Sequence, residues 1–202
     1  AAATLGGGGS AVPTGSGRDF STADALTSSA AKKDIAALKL DASLENLAVF
    51  AYGAALKAAP KGKFGKVPAA VAEFAMHAMD QHADHAEAFN AALVNAGSKA
   101  YTKPDPALTP AVLKMFKDTN SVPELAKLAL TLENTAAATY VKQMKTLRSL
   151  EALNAVATIA PVERQHAAIL SFVLGEYPVP DTFVKLGPTS TSLGARPTSD
   201  LK

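Results

Sequence analysis

Between residues 31 and 175, apolar residues recur three and four positions apart. That spacing marks one face of an amphipathic α-helix. Four long segments carry the pattern. The first is expected over about 33–59 and stops at Pro60. The second is expected over about 68–96, opened by Pro68 and capped by Gly97; proline suits a first turn and glycine suits the residue after a last one. The third starts at Val122-Pro123-Glu124 and runs to about Leu147. The fourth runs over about 150–174, with Gly175 as its stop. A shorter helix is expected at 110–117. Short connections join the first helix to the second and the third to the fourth, as antiparallel neighbours. The segment 98–121 is longer and permits a crossover between distant helices.

The pattern fails at both ends. Residues 1–30 are rich in Ala, Gly, Ser and Thr and contain the run Gly6-Gly7-Gly8-Gly9-Ser10. They are expected to form a flexible arm. Residues 176–202 hold many Pro, Ser and Thr and are expected to run extended, draped over the bundle or a neighbour. A bundle over 31–175 is therefore expected between two tails.

Composition supports an all-α fold. Alanine makes up about a fifth of the 202 residues, and aromatic residues only 6%. Alanine is the strongest helix former, and strand-favouring residues are sparse. There is no cysteine, which excludes disulfide frameworks, thiolate metal sites and thiol catalysis. A net charge of +2 with signs mixed gives no footprint for nucleic acid. No apolar run approaches the ~20 residues of a membrane span.

A weak internal repeat points to chemistry. Ser43-Leu44-Glu45-Asn46 with Tyr52 matches Thr131-Leu132-Glu133-Asn134 with Tyr140. The helix after each copy carries a pair three residues apart: His82 and His85 in one, Glu163 and His166 in the other. Seven residues are close to two helical turns, so each Glu shares a stripe with its Tyr. In the second helix, Val71, Ala75, Ala78, Ala86, Phe89 and Leu93 form the apolar face, with His82 and His85 in its middle. Glu73, His77, Asp80, Asp84 and Glu87 fall on the opposite face. Glu163 and His166 share a face with Val156, Ile159, Ala167 and Leu170. Six polar residues thus face the core: Glu45, His82, His85, Glu133, Glu163 and His166. Burying an unpaired carboxylate costs several kcal/mol, and a bound di- or trivalent metal ion would supply the compensating charge.

On these residues the chain resembles the ferritin-like superfamily. Within it, the chain is most similar to small exported bacterial ferritin-like domain proteins, related to plant desiccation-associated proteins. Di-metal members take one Glu from each of two helices and a Glu-x-x-His motif from each of the other two. The resemblance covers roughly 33–175 and implies a four-helix bundle with one long crossover between helices two and three. It also implies Glu45 and Glu133 as terminal ligands and Glu163 as a bridge. His82, His85 and His166 would supply nitrogen, with Tyr52 and Tyr140 orienting the ligands. The implied cofactor is iron, two ions, with Mn, Zn or Cu as alternatives. The chain departs from the family at His82-Ala83-Asp84-His85, where the pattern wants Glu-x-x-His. The frame Gln81-x-x-Asp84 is rejected because it would place Asp84 on the polar face.

Two functional readings follow. One is a redox metalloprotein acting as an oxidase, a ferroxidase or a peroxide-handling protein. The other is a non-catalytic structural, stress-related or accessory bundle whose metal site has degenerated. Expected partners are metal ions, and a second copy or another protein through the tails. The small-residue start resembles what remains after signal cleavage, so an extracytoplasmic location (periplasm or envelope) is expected, with the cytoplasm as the alternative.

Overall fold

The computed structural model describes residues 29–201. The chain forms α1 (Ser29–Ala58), α2 (Ala69–Asn95), α3 (Thr109–Asp118), α4 (Val122–Gln143) and α5 (Leu150–Val173), with short 3-10 turns at Ala59–Lys61 and Thr198–Leu201. There is no strand among the described residues; a single antiparallel bridge joins Thr189 and Ser192. The arm expected at 1–30 lies outside the described residues, except for its last two positions, which open α1.

Local chemistry sets the helix ends. Ser121 and Ser149 accept from the backbone N–H of Glu124 and Ala152, capping α4 and α5. Beyond α2 and α5, Gly97 and Gly175 adopt φ of +76° and +74°. Those left-handed turns let Ser98 N bond Leu93 O and Glu176 N bond Ser171 O. The expected third helix is shorter than its pattern. It ends at Gln143, and a turn fills 144–149. The reason is tertiary: Asp34, buried on α1, accepts from the N–H groups of Arg148 and Ser149. That contact holds the turn against the start of α1. Pro161 lies inside α5 without ending it.

The helices pair as α1 with α2 and α4 with α5, with α2 against α5 and α1 against α4. The crossover can be followed by its contacts. Tyr101 bonds Asn90 near the end of α2, and Asp105 N bonds Ser43 O midway along α1. At the far end, Phe116 packs edge-on to Phe64 in the α1–α2 connection. The segment therefore runs back along the bundle, and α4 starts at the same end as α2. Residues 191–196 lie along α4, and the turn Thr198–Leu201 packs against α1. Thr135 and Thr139, one turn apart, accept from the N–H groups of Leu193 and Arg196. Leu201 then packs on the core.

The interior has two apolar parts. The larger contains Leu38, Leu47, Phe89, Leu93, Tyr140 and Val156; the smaller contains Ala126, Leu130, Ala167 and Leu170. A polar band separates them.

Candidate metal centre

All six core-facing polar residues expected from the sequence meet in that band. Glu45 comes from α1, His82 and His85 from α2, Glu133 from α4, and Glu163 and His166 from α5. Five are buried, and the side chain of His85 is 12% exposed. Helical spacing explains the convergence, since 82 and 85, like 163 and 166, sit one turn apart on inward faces. His77 points outward, as expected.

The contacts divide into two groups. In the first, Glu45 Oε2 lies 2.7 Å from His82 Nδ1 and 3.5 Å from His85 Nδ1. His85 Nδ1 is also 2.9 Å from Glu163 Oε1. In the second, Glu133 Oε1 lies 3.2 Å from His82 Nε2, and Glu133 Oε2 lies 3.3 Å from His166 Nδ1. Glu163 Oε2 is 3.6 Å from the same His166 nitrogen. Each group offers four ligand atoms within 4.8 Å of one another, and the groups share His82 and Glu163. His82 therefore stands between them, with one ring nitrogen toward each. A carboxylate at position 82 would bridge through two oxygens; the imidazole spans a wider gap through Nδ1 and Nε2.

Neighbouring groups orient these atoms. Tyr140 donates its hydroxyl proton to Glu45 Oε1, which leaves Oε2 toward the histidines. Tyr52 donates to Glu133 Oε1 at 2.6 Å, and its ring stacks on His82. Both tyrosines reach the centre, and each bonds the glutamate of the other copy of the repeat. Gln81, which the sequence reading weighed only in the rejected Gln81-x-x-Asp84 frame, accepts from His166 Nε2 at 2.7 Å. That bond turns Nδ1 inward. The only signal in the sequence was its place one turn before His85. The buried carboxylate of Asp41, one turn before Glu45, was likewise missed.

The donors fit a metal ion. The approach of His85 Nδ1 to Glu163 is too oblique for a hydrogen bond. Both Glu163 oxygens and His85 Nδ1 are thus buried with no hydrogen-bond partner. Buried polar atoms are mostly paired; the Asp41 carboxylate and the Gln143 amide also lack partners, but only Glu163 and His85 among these belong to the groups whose donor atoms converge as a metal ion requires. A cavity of about 20 Å³ adjoins Glu45, His82 and Glu133. A groove of about 340 Å³ between α2 and α5 runs past Glu73, His77 and Gln81 to His166. Its lining mixes Glu73, His77, Gln81 and Gln165 with Ala70, Phe74 and Ile169. A family model for the ferritin-like domain matches residues 33–176.

The chain belongs to the ferritin-like domain family. The match spans all five helices of the bundle except the first turn of α1. No curated protein and no solved structure matches it.

Without a metal, this ferritin-like core balances its own charge. Burial pushes the Glu133 carboxyl up, but the charge of His82 and hydrogen bonds from His166 and His82 hold it well below its usual range. Burial also opposes ionisation of Glu45, and His82 and His85 overcome it. Glu163 is pushed up to about 7 by burial and by the charge of Glu45. Burial disfavours charge on His85 and His166, yet the adjacent glutamates raise both to about 9. His82 is also held well above its usual value. Its imidazolium donates to Glu45 and Glu133 together.

A pH dependence follows for the metal-free protein. His85 and His166 bind protons more tightly folded than unfolded. Their stabilisation is complete below about pH 6.5 and is lost as pH rises through about 9. Glu163 contributes in the same sense between 4.5 and about 7. Calorimetry in chelator is expected to show a melting temperature lower by roughly 5 °C at pH 9.5 than at pH 6.5. A flat or rising profile would contradict this charge arrangement.

Proposed function

We propose that this ferritin-like chain is a metalloprotein that holds two metal ions, iron first, and reacts with dioxygen or peroxide. The two four-residue groups sharing His82 and Glu163 carry this reading. When bound, such a pair supplies the electrons that reduce the oxidant. Glu45 and His85 would hold one position, and Glu133 and His166 the other. Glu163 would serve both with the oxygens now lacking partners, and His82 would offer one nitrogen to each. Uptake must displace protons from these histidines. Tyr52 and Tyr140, both kept neutral by burial and adjacent carboxylates, would hold Glu133 and Glu45 in place.

A non-catalytic accessory bundle is the second reading. It is favoured by the His82 imidazolium, which satisfies Glu45 and Glu133 with no metal. The exposed Tyr177, Val179 and Phe183 would then serve as a contact surface for a partner.

Elemental analysis of protein purified without chelators separates the two. Two ions per chain are expected, falling to near zero in the Glu163→Ala/His166→Ala variant. Substoichiometric metal indifferent to those substitutions would overturn the first reading.

A further inference from the structure

A second cavity lies on the bundle axis, at the end where α1 finishes and α2 and α4 begin. It measures about 50 Å³ and opens to the surface. Every helix contributes to it, with walls made only of Ala, Val, Leu, Phe and Tyr52. The single polar group on that wall, the Tyr52 hydroxyl, is already committed to Glu133. Val173, at the rim, is 37% exposed.

Two features set this cavity apart from a packing defect. Its walls carry alanines on three helices, at Ala51, Ala55, Ala75, Ala126 and Ala129, where larger side chains would close the space. Its inner end is also the wall of the Glu/His centre. Tyr52 and Phe74 line the cavity on one side. On the other, Tyr52 stacks on His82 with centroids 5.5 Å apart, and Phe74 meets His166 edge-on at 5.9 Å. A guest reaching the inner end would lie one aromatic ring away from two of the histidines.

We propose that this cavity binds an unbranched alkyl chain, the apolar part of the substrate on which the Glu/His centre acts. The link to substrate rests on the metal reading above; the cavity itself does not. The size argues for the end of a chain, because about 50 Å³ is a third of the roughly 150 Å³ that an apolar cavity offers to take up benzene. The chemistry argues for an apolar guest, because the wall leaves no donor or acceptor free to pair with a polar one. The groove past Glu73, His77 and Gln81 also reaches His166, so ions and an alkyl chain need not share a path.

Hexan-1-ol is a suitable probe, titrated by calorimetry and NMR into the full chain, metal-free and cobalt(II)-loaded. One saturable site per chain is expected. Ala129→Leu and Ala55→Leu, on different helices, should each weaken binding at least tenfold; two variants guard against one failing to fold. In the cobalt-loaded protein, saturation with hexanol should shift the visible ligand-field bands. No saturable binding to the wild type, or binding indifferent to both substitutions, would overturn the proposal. Binding of both cobalt and hexanol with no spectral change would overturn the link to the centre. Saturable hexanol binding in a chain that takes up no cobalt would uphold the cavity and overturn only the metal reading.

Discussion

His82→Glu is expected to make the fold depend on metal. In the metal-free protein, the His82 imidazolium lies between Glu45 and Glu133, 2.7 Å from one and 3.2 Å from the other. Glutamate there would remove that cation and add a fourth buried carboxylate beside three others. Breaking a buried ion pair costs about 3–5 kcal/mol, and here one cation serves two partners. The melting temperature of the chelated variant should fall by roughly 10 °C or more. With metal the sign reverses. The introduced carboxylate completes the Glu-x-x-His pattern of α2 and can bridge two ions, so metal affinity should rise at least tenfold. Melting scans with and without iron(II) or manganese(II) measure both effects. A chelated variant as stable as the wild type would show that His82 does not act as the internal counter-charge.

Glu163→Gln is expected to separate stability from metal binding. Glu163 is fully buried, belongs to both ligand groups and has no hydrogen bond to either oxygen. Burial and Glu45 raise its pKa to about 7. At pH 8 the protein therefore carries a carboxylate whose charge its surroundings oppose. The amide has the same shape without the charge, and the chelated variant should melt higher than the wild type at pH 8. It should also lose both metal positions together, with affinity down on the order of 100-fold, the upper end of what even an outer partner of a ligand contributes. Calorimetric titration with cobalt(II) and melting in chelator give the two readings. Loss of only one ion per chain would mean that Glu163 does not serve both groups.

Much of the centre was legible because helical spacing is a local property. Glu45, His82, Glu133, Glu163 and His166 fall on apolar stripes counted along single helices, and the structure buries each of them. The pairing of Glu45 with Tyr52 on one stripe did not reveal the bonds, which cross. Tyr52 serves Glu133, and Tyr140 serves Glu45. These bonds join residues 81 and 95 positions apart, and nothing local encodes such a distance. Asp34 is a similar case. Its capping of the α4–α5 turn, 114 residues away, ended α4 before the periodicity did.

The sequence alone determined the presence and order of the helices, the glycine stops after α2 and α5, the inward direction of six donors and the length of the crossover. All of these follow from backbone geometry over one or two turns. Only the tertiary structure decided which oxygen faces which nitrogen. It also turned the two nitrogens of His82 to opposite groups, brought Gln81 to His166 and laid the C-terminal segment on Thr135 and Thr139. It left an apolar cavity beside the centre. These depend on how far apart the helices pack and which rotamers that packing allows.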